Sequence, residues 1–390
     1  MPPARLLTIM GSGETAPTMV KTHRAVFERA GGSGVLLSTP YGFQENASEI
    51  SARAVDYFRR SVGVEVEAVD ETQLNRLRQA PVIFSGPGSP TFALRAWAGT
   101  PVPDVLADRL REGGCVTFAS AAALTLGVAT LPVYEIYKAG ETPRWLDGLD
   151  LLAIGGLRAA VIPHFDNAEG GTHDTRYCYL GERRLAMLEE QLPEGAVVLG
   201  VDEHTACTLD LDAGSAAVTG LGRVTVRVAG KSTTFEAGET VPIAELQHPG
   251  RAPTAAPPAA APAAPLERSP LLAEVERLER RFDAAVGGGE MASAVEAVVE
   301  LEQAIHDWSG DTLQSDEPDR ARAVLRSLVG RLGDAAATSR LPVLVEAVLR
   351  ERERARGERR WEDADRLRDA LVAAGIEVRD EAGGTVWRPC

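Results

Sequence analysis

The chain has 390 residues, 41 lysines and arginines against 56 aspartates and glutamates, and a formal net charge of −15. Such acidity excludes a protein that coats phosphate backbones non-specifically or adheres to an anionic membrane, because both need a basic face. Apolar residues, at 44%, are ample for two or three buried cores, and no apolar run approaches the roughly 20 residues of a bilayer span. Cys115, Cys178, Cys207 and Cys390 lack CxxC spacing and read as reduced thiols in the cytoplasm, not as a disulfide framework or a zinc site.

In chain order, Leu6 to Met10 is a short apolar strand that runs into Gly11-Ser12-Gly13-Glu14. The run is too short for a signal peptide, and the glycine turn lacks both a P-loop lysine and a full GxGxxG. Thr18 to Ala30 and Ala47 to Val62 have helical patterning. Between and after them come strand-like segments at Gly34 to Pro40, Val64 to Val69, Pro81 to Ser85 and Gly114 to Ala119. Strand–loop–helix repeats of this kind predict an α/β domain, a doubly wound and mostly parallel sheet with helices on both faces, over residues 1–248. Sites in such sheets form at the carboxyl ends of the strands. From about Ser215, short alternating strands at 217–218, 223–228 and 232–235 predict antiparallel hairpins that close the domain. Residues 249–266 are a proline- and alanine-rich extended linker, since repeated proline removes amide donors and fixes φ. Residues 267–390 carry helical periodicity, as in Leu271, Val275, Leu278 and Phe282, and end in a small hairpin that turns at Gly383-Gly384. They predict a separate C-terminal α-helical domain.

Several residues could carry chemistry. Ser120 lies where the strand ending at Ala119 meets Ala121-Ala122-Ala123, a strand-to-helix turn that exposes a nucleophile; an ordinary helix N-cap accounts for the same serine. His164 follows the apolar strand Ala160 to Pro163 and is a candidate general base, with a backbone-bonded loop histidine as the alternative. Glu135 is a lone acid within Val133-Tyr134-Glu135-Ile136-Tyr137 and could orient an imidazole; otherwise it is a solvated acid on a half-exposed strand. Arg176, in the polar loop from Asn167 to Arg184, suits bidentate pairing with a substrate carboxylate or is an ordinary surface arginine. His164, Asp166, His173, Asp174 and His204 offer a metal alternative, although their spacing fits no metal motif. Asp202-Glu203-His204 forms a further acid–histidine cluster at a strand end. Neither a metal nor a cofactor is expected.

These segments resemble a known family. Gly86-Pro87-Gly88-Ser89-Pro90, Ala119-Ser120-Ala121-Ala122, Pro163-His164-Phe165-Asp166-Asn167, Asp174-Thr175-Arg176 and Gly200 to Ala206 are similar to the cyanophycinase and dipeptidase E branch of serine peptidases, the S51 peptidases. That branch belongs to the class I glutamine amidotransferase-like, flavodoxin-like fold, and the similarity spans about Leu6 to Gln247. The resemblance implies a catalytic triad of Ser120, Glu135 and His164. It also implies an oxyanion hole at the N–H groups of Ala121 and Gly88, and substrate binding by Arg176 and Asn167. The family's elbow is Gly-x-Ser-x-Gly, whereas Phe118 and Ala122 hold the outer positions here, so the bulk at 118 is expected to crowd the turn. The implied activity is hydrolysis of a peptide or isopeptide bond, beside an acidic residue, in a peptide or small-molecule substrate. The alternative is a non-catalytic binding protein of the same fold.

A second resemblance lies at the C-terminus. Trp361 to Leu371, Gly375-Ile376 and Gly384 to Arg388 are similar to the C-terminal end of cysteinyl-tRNA synthetases, over about residues 345–390. No HIGH or KMSKS motif occurs, so aminoacylation is not implied. The resemblance implies a tRNA or protein partner for these helices, and a homodimer is compatible with the whole reading.

Overall fold

The structure, a computed structural model, describes residues 4–168, 173–249, 270–308, 317–381 and 384–389. The linker from 250 onward, Glu169 and the Gly383 turn lie outside the described residues. The chain divides into two compact units, Met1–Glu267 with His306–Ser315, and Arg268–Ile305 with Asp316–Cys390.

The first unit is built on strands β1 (Arg5–Met10), β2 (Ser33–Leu37), β3 (Glu65–Val69), β4 (Val82–Ser85) and β5 (Gly114–Ala119). Two short strands, β6 (Ala129–Thr130) and β7 (Leu146–Asp147), pair with each other. They are followed by β8 (Ala159–Ile162), β9 (Val197–Val201), β10 (Thr205–Asp210), β11 (Ser215–Gly220), β12 (Arg223–Val228), β13 (Lys231–Glu236) and β14 (Thr240–Pro242). The main sheet runs β14-β11-β10-β1-β5-β4-β2-β3. From β1 to β3 every pairing is parallel, and the β10, β11 and β14 edge is antiparallel. A second sheet runs β13-β12-β9-β8, with β8 and β9 parallel. Parallel strands are covered on both faces and must be apolar throughout. β5 accordingly is buried along its whole length.

The sequence-based expectation of a mostly parallel α/β sheet followed by a helical region holds. Two local expectations do not. Val133–Tyr137 is a helix, not a strand, so Glu135 projects from a helical turn. The helix Ala47–Tyr57 passes into a wider π turn at Phe58–Val62, which period-3.6 reasoning does not anticipate.

The second unit has helices Pro270–Gly287, Met291–Trp308 (whose last turn belongs to the first unit), Glu317–Gly357 and Trp361–Ala373. Glu317–Gly357 is one helix of 41 residues. Strands β15 (Ile376–Glu381) and β16 (Gly384–Pro389) form an antiparallel hairpin. Val345, Leu349, Leu371, Ile376 and Val378 share one small core, so the long helix, the last helix and the hairpin fold as a piece. Arg352 ties them further through a bidentate contact to Asp380 at 2.8 and 2.7 Å. Among the described residues, no helix is long and apolar enough to cross a membrane.

Candidate active site

Ser120 stands directly after β5, with Ala119 still extended and Ser120 itself left-handed at φ = 49°. A non-glycine residue in that region is strained and is held only where surrounding structure enforces it. Here β5 is clamped between β1 and β4, and the Ala122 N–H donates to the Gly86 carbonyl at 3.1 Å. Strand, sharp bend and helix therefore present the hydroxyl at the carboxyl end of the sheet, as a nucleophile elbow does. Phe118 does not crowd this bend. Its ring is fully buried against Trp97, with centroids 6.0 Å apart, so its bulk lies in the core below the turn.

His164 follows β8 and is also left-handed, at φ = 48°. Its carbonyl accepts the Asn167 N–H at 3.2 Å and the Cys178 N–H at 3.1 Å. The ring is buried, and its Nε2 lies 2.9 Å from Ser120 Oγ. At the other ring nitrogen, Nδ1 lies 2.9 Å from Glu203 Oε1. The acid beside the imidazole is thus Glu203, not Glu135. Glu135 Oε2 is buried on its own helical turn without a hydrogen-bond partner. The physical reason is strand adjacency. β8 and β9 pair in parallel with Ile162 opposite Gly200, so the loops just beyond them carry His164 and Glu203 side by side. Gly200 permits this packing, since a Cβ there would lie 2.3 Å from the Phe165 ring.

Burial works against ionisation of Glu203, but the hydrogen bond and charge of His164 and the bond from Asn167 outweigh it and hold the carboxyl below the usual glutamate range. Burial, and then the charge of Asp166, push Asp202 up to about 7, while Asp166 is raised by burial and the charge of Glu203 against the bond it accepts from the Glu203 N–H. Burial likewise lowers His204, opposed by the charge of Glu203. Burial also pushes Cys178 and Cys207 up to about 12 and Cys115 to about 11. None of these three thiols is a thiolate near neutral pH.

Gly88 sits in the loop after β4, beside β5, at φ = 131° with a notional Cβ only 2.1 Å from the Pro40 carbonyl oxygen. Only glycine fits there. Ala121 follows the serine in the first turn of the helix Ser120–Ala123. Asn167 is fully buried, and its Nδ2 donates to Glu203 Oε1 at 3.1 Å; the amide expected to bind substrate faces the glutamate instead. Arg176 is exposed and pairs with Asp174 through Nε to Oδ1 at 2.8 Å and Nη2 to Oδ2 at 2.9 Å. A substrate carboxylate would have to replace Asp174 on that guanidinium. Among the described residues, no group of three or more histidine, cysteine, aspartate or glutamate side chains is arranged to hold a metal ion.

Sequence reasoning missed Glu203 as the partner of the imidazole. The signal was present, because Asp202-Glu203-His204 closes a strand that follows the His164 strand in the sheet, and consecutive strands usually neighbour one another.

The first unit is thus an α/β unit with a mostly parallel sheet that brings Ser120, His164 and Glu203 together at its carboxyl end. Its likeness is to a crystal structure of a peptidase from an acI-B1 actinobacterium, at 19% identity and a TM-score of 0.50, covering 61% of this chain and 97% of that one. At that identity the likeness concerns the fold. The C-terminal region has a separate relationship. Residues 338–388 match the cysteinyl-tRNA ligase anticodon binding domain family. A curated relative of this region is the cysteine–tRNA ligase of Chromobacterium violaceum, 50% identical over 44 residues, which are 11% of this chain and 10% of the ligase. The chain thus spans about a tenth of the length of that relative.

Proposed function

We propose that the first unit is a serine hydrolase that cleaves a peptide or isopeptide bond. Ser120 Oγ attacks the carbonyl carbon while His164 Nε2 takes its proton. His164 then returns that proton to the leaving amine, and water repeats the sequence on the acyl-enzyme. Glu203 keeps the Nδ1–H tautomer and balances the imidazolium. The N–H groups of Ala121 and Gly88 receive the oxyanion, and losing one such donor typically costs about 10²–10³ in rate. The observation that carries this reading is the unbroken chain of 2.9 Å contacts from Ser120 Oγ through both imidazole nitrogens to Glu203 Oε1. Recognition of an acidic residue beside the scissile bond would fall to Arg176 once Asp174 is displaced. A fluorophosphonate probe tests the proposal: the full chain should be labelled at Ser120, and aspartyl dipeptides or a cyanophycin-like polymer should be cleaved by the parent and not by Ser120→Ala. No labelling, or equal turnover by both proteins, removes the serine from the chemistry.

The match of residues 338–388 supports a second role for the other unit, contact with tRNA. Its arginines lie among many acids, as in Arg354 with Glu351 and Arg366 with Asp363, so such contact would rest on few phosphates and a shallow salt dependence. Retardation of tRNA by the full chain, lost in an Arg359→Glu, Arg368→Glu double variant, tests it; equal retardation by both overturns it.

A further inference from the structure

The turn that follows the catalytic histidine candidate grips the glutamate twice. Asp166 Oδ1 accepts the backbone N–H of Glu203 at 2.8 Å, and Asn167 Nδ2 donates to Glu203 Oε1 at 3.1 Å. That oxygen is the one on His164 Nδ1. Asn167 is itself locked. It is fully buried, its N–H donates to the His164 carbonyl at 3.2 Å, and its own carbonyl accepts from Thr175 Oγ1 at 3.4 Å. These two bonds fix the Asn167 backbone, and from it the buried side-chain amide reaches Glu203 through Nδ2.

We propose that Asn167 is a positioning residue of the site: its amide N–H holds Glu203 Oε1 against His164 Nδ1, while Asp166 fixes the glutamate backbone. The proposal rests on the hydrolytic reading of Ser120 and His164 but concerns a property measurable without turnover. Without the amide donor the buried carboxylate draws protons more strongly, because a charge-assisted bond that stabilises the anion is gone. The proton would then bind the Glu203–His164 pair at higher pH, whichever of the two carries it. Among the described residues, the titratable groups around the pair include Asp166, Asp202 with Arg223 and Glu236 behind it, Cys178, His204 and Tyr179, whose ring centroid lies 6.5 Å from that of His164.

The test follows the Cε1–H signal of His164 by NMR across pH in the full chain with ¹³C-labelled histidine, assigned by its loss in His164→Ala. Expected is a rise in the apparent midpoint of about one unit in Asn167→Ala, with a larger rise in Asn167→Asp, which sets a second carboxylate against Glu203. Fluorophosphonate labelling of Ser120 near neutral pH should slow by about tenfold or more in both. Asn167→Asp keeps the shape of the side chain, so it decides the matter if the alanine variant does not fold. Midpoints equal to that of the parent in a folded variant overturn the proposal. A parent that titrates as described but is never labelled overturns the hydrolytic reading alone, and the NMR shift still decides the role of Asn167.

Discussion

The two units place their polar groups in opposite ways. The first buries Ser12, His23, His164, Asn167, Asp202, His204 and Arg227 among apolar strands, while in the second Arg352 is the buried polar side chain among the described residues. A buried polar group costs free energy unless it is bonded, so each one in the first unit commits the chain to a geometry. Arg227 illustrates this, held between Glu182 and Glu189 with its guanidinium over the Tyr177 ring. The second unit carries exposed pairs within helices, such as Arg277 with Glu274 and Arg322 with Asp319, and such pairs contribute little to stability. Chemistry is therefore expected where the polar burial is, and recognition by surface where it is absent.

The sharpest way to break this contrast is Ser120→Ala, which should abolish fluorophosphonate labelling, with far-UV circular dichroism unchanged. Next comes a pair of glutamates. Glu203→Gln should slow labelling by about 10²–10⁴, since it removes the partner that sets the histidine tautomer. Glu135→Gln should leave the rate within about twofold of the parent, and parity between the two variants would return Glu135 to the candidate site. Gly88→Ala forces a Cβ onto the Pro40 carbonyl at a left-handed position and should cost about 2–4 kcal/mol in chemical denaturation, besides displacing an oxyanion donor.

Two smaller effects sharpen the comparison. Arg352→Ala removes the contact to Asp380, whose half-exposed carboxylate is partly screened by solvent, so the loss should be about 1–2 kcal/mol in thermal melting with labelling of Ser120 unaffected. Asp202 protonates more readily folded than unfolded, because burial and then Asp166 lift it to about 7. The folded state therefore holds the extra proton between the usual aspartate range and about pH 7, and this group's contribution to stability falls as pH rises through that window. Asp202→Asn should gain on the parent in denaturation midpoint between about pH 5 and about pH 8; a constant difference would show that Asp202 titrates normally.

Much of this molecule was legible in the chain itself. Apolar runs ending in small or polar residues at Gly11, Ser85 and Ala119 announced a parallel sheet, because strands covered on both faces have few polar positions to spare. The helical periodicity after residue 270 likewise announced a second kind of packing. Ser120 and His164 could be proposed from their places at strand ends. Tertiary structure alone decided which acid joins them. Glu135 has the nearer sequence position to Ser120, yet the pairing of β8 with β9 brings Glu203 to His164 Nδ1, and the turn at Asn167 closes on the same oxygen. Local patterning reports what each segment buries; which two loops meet depends on strand order and register, and those are settled by packing between segments far apart in the chain.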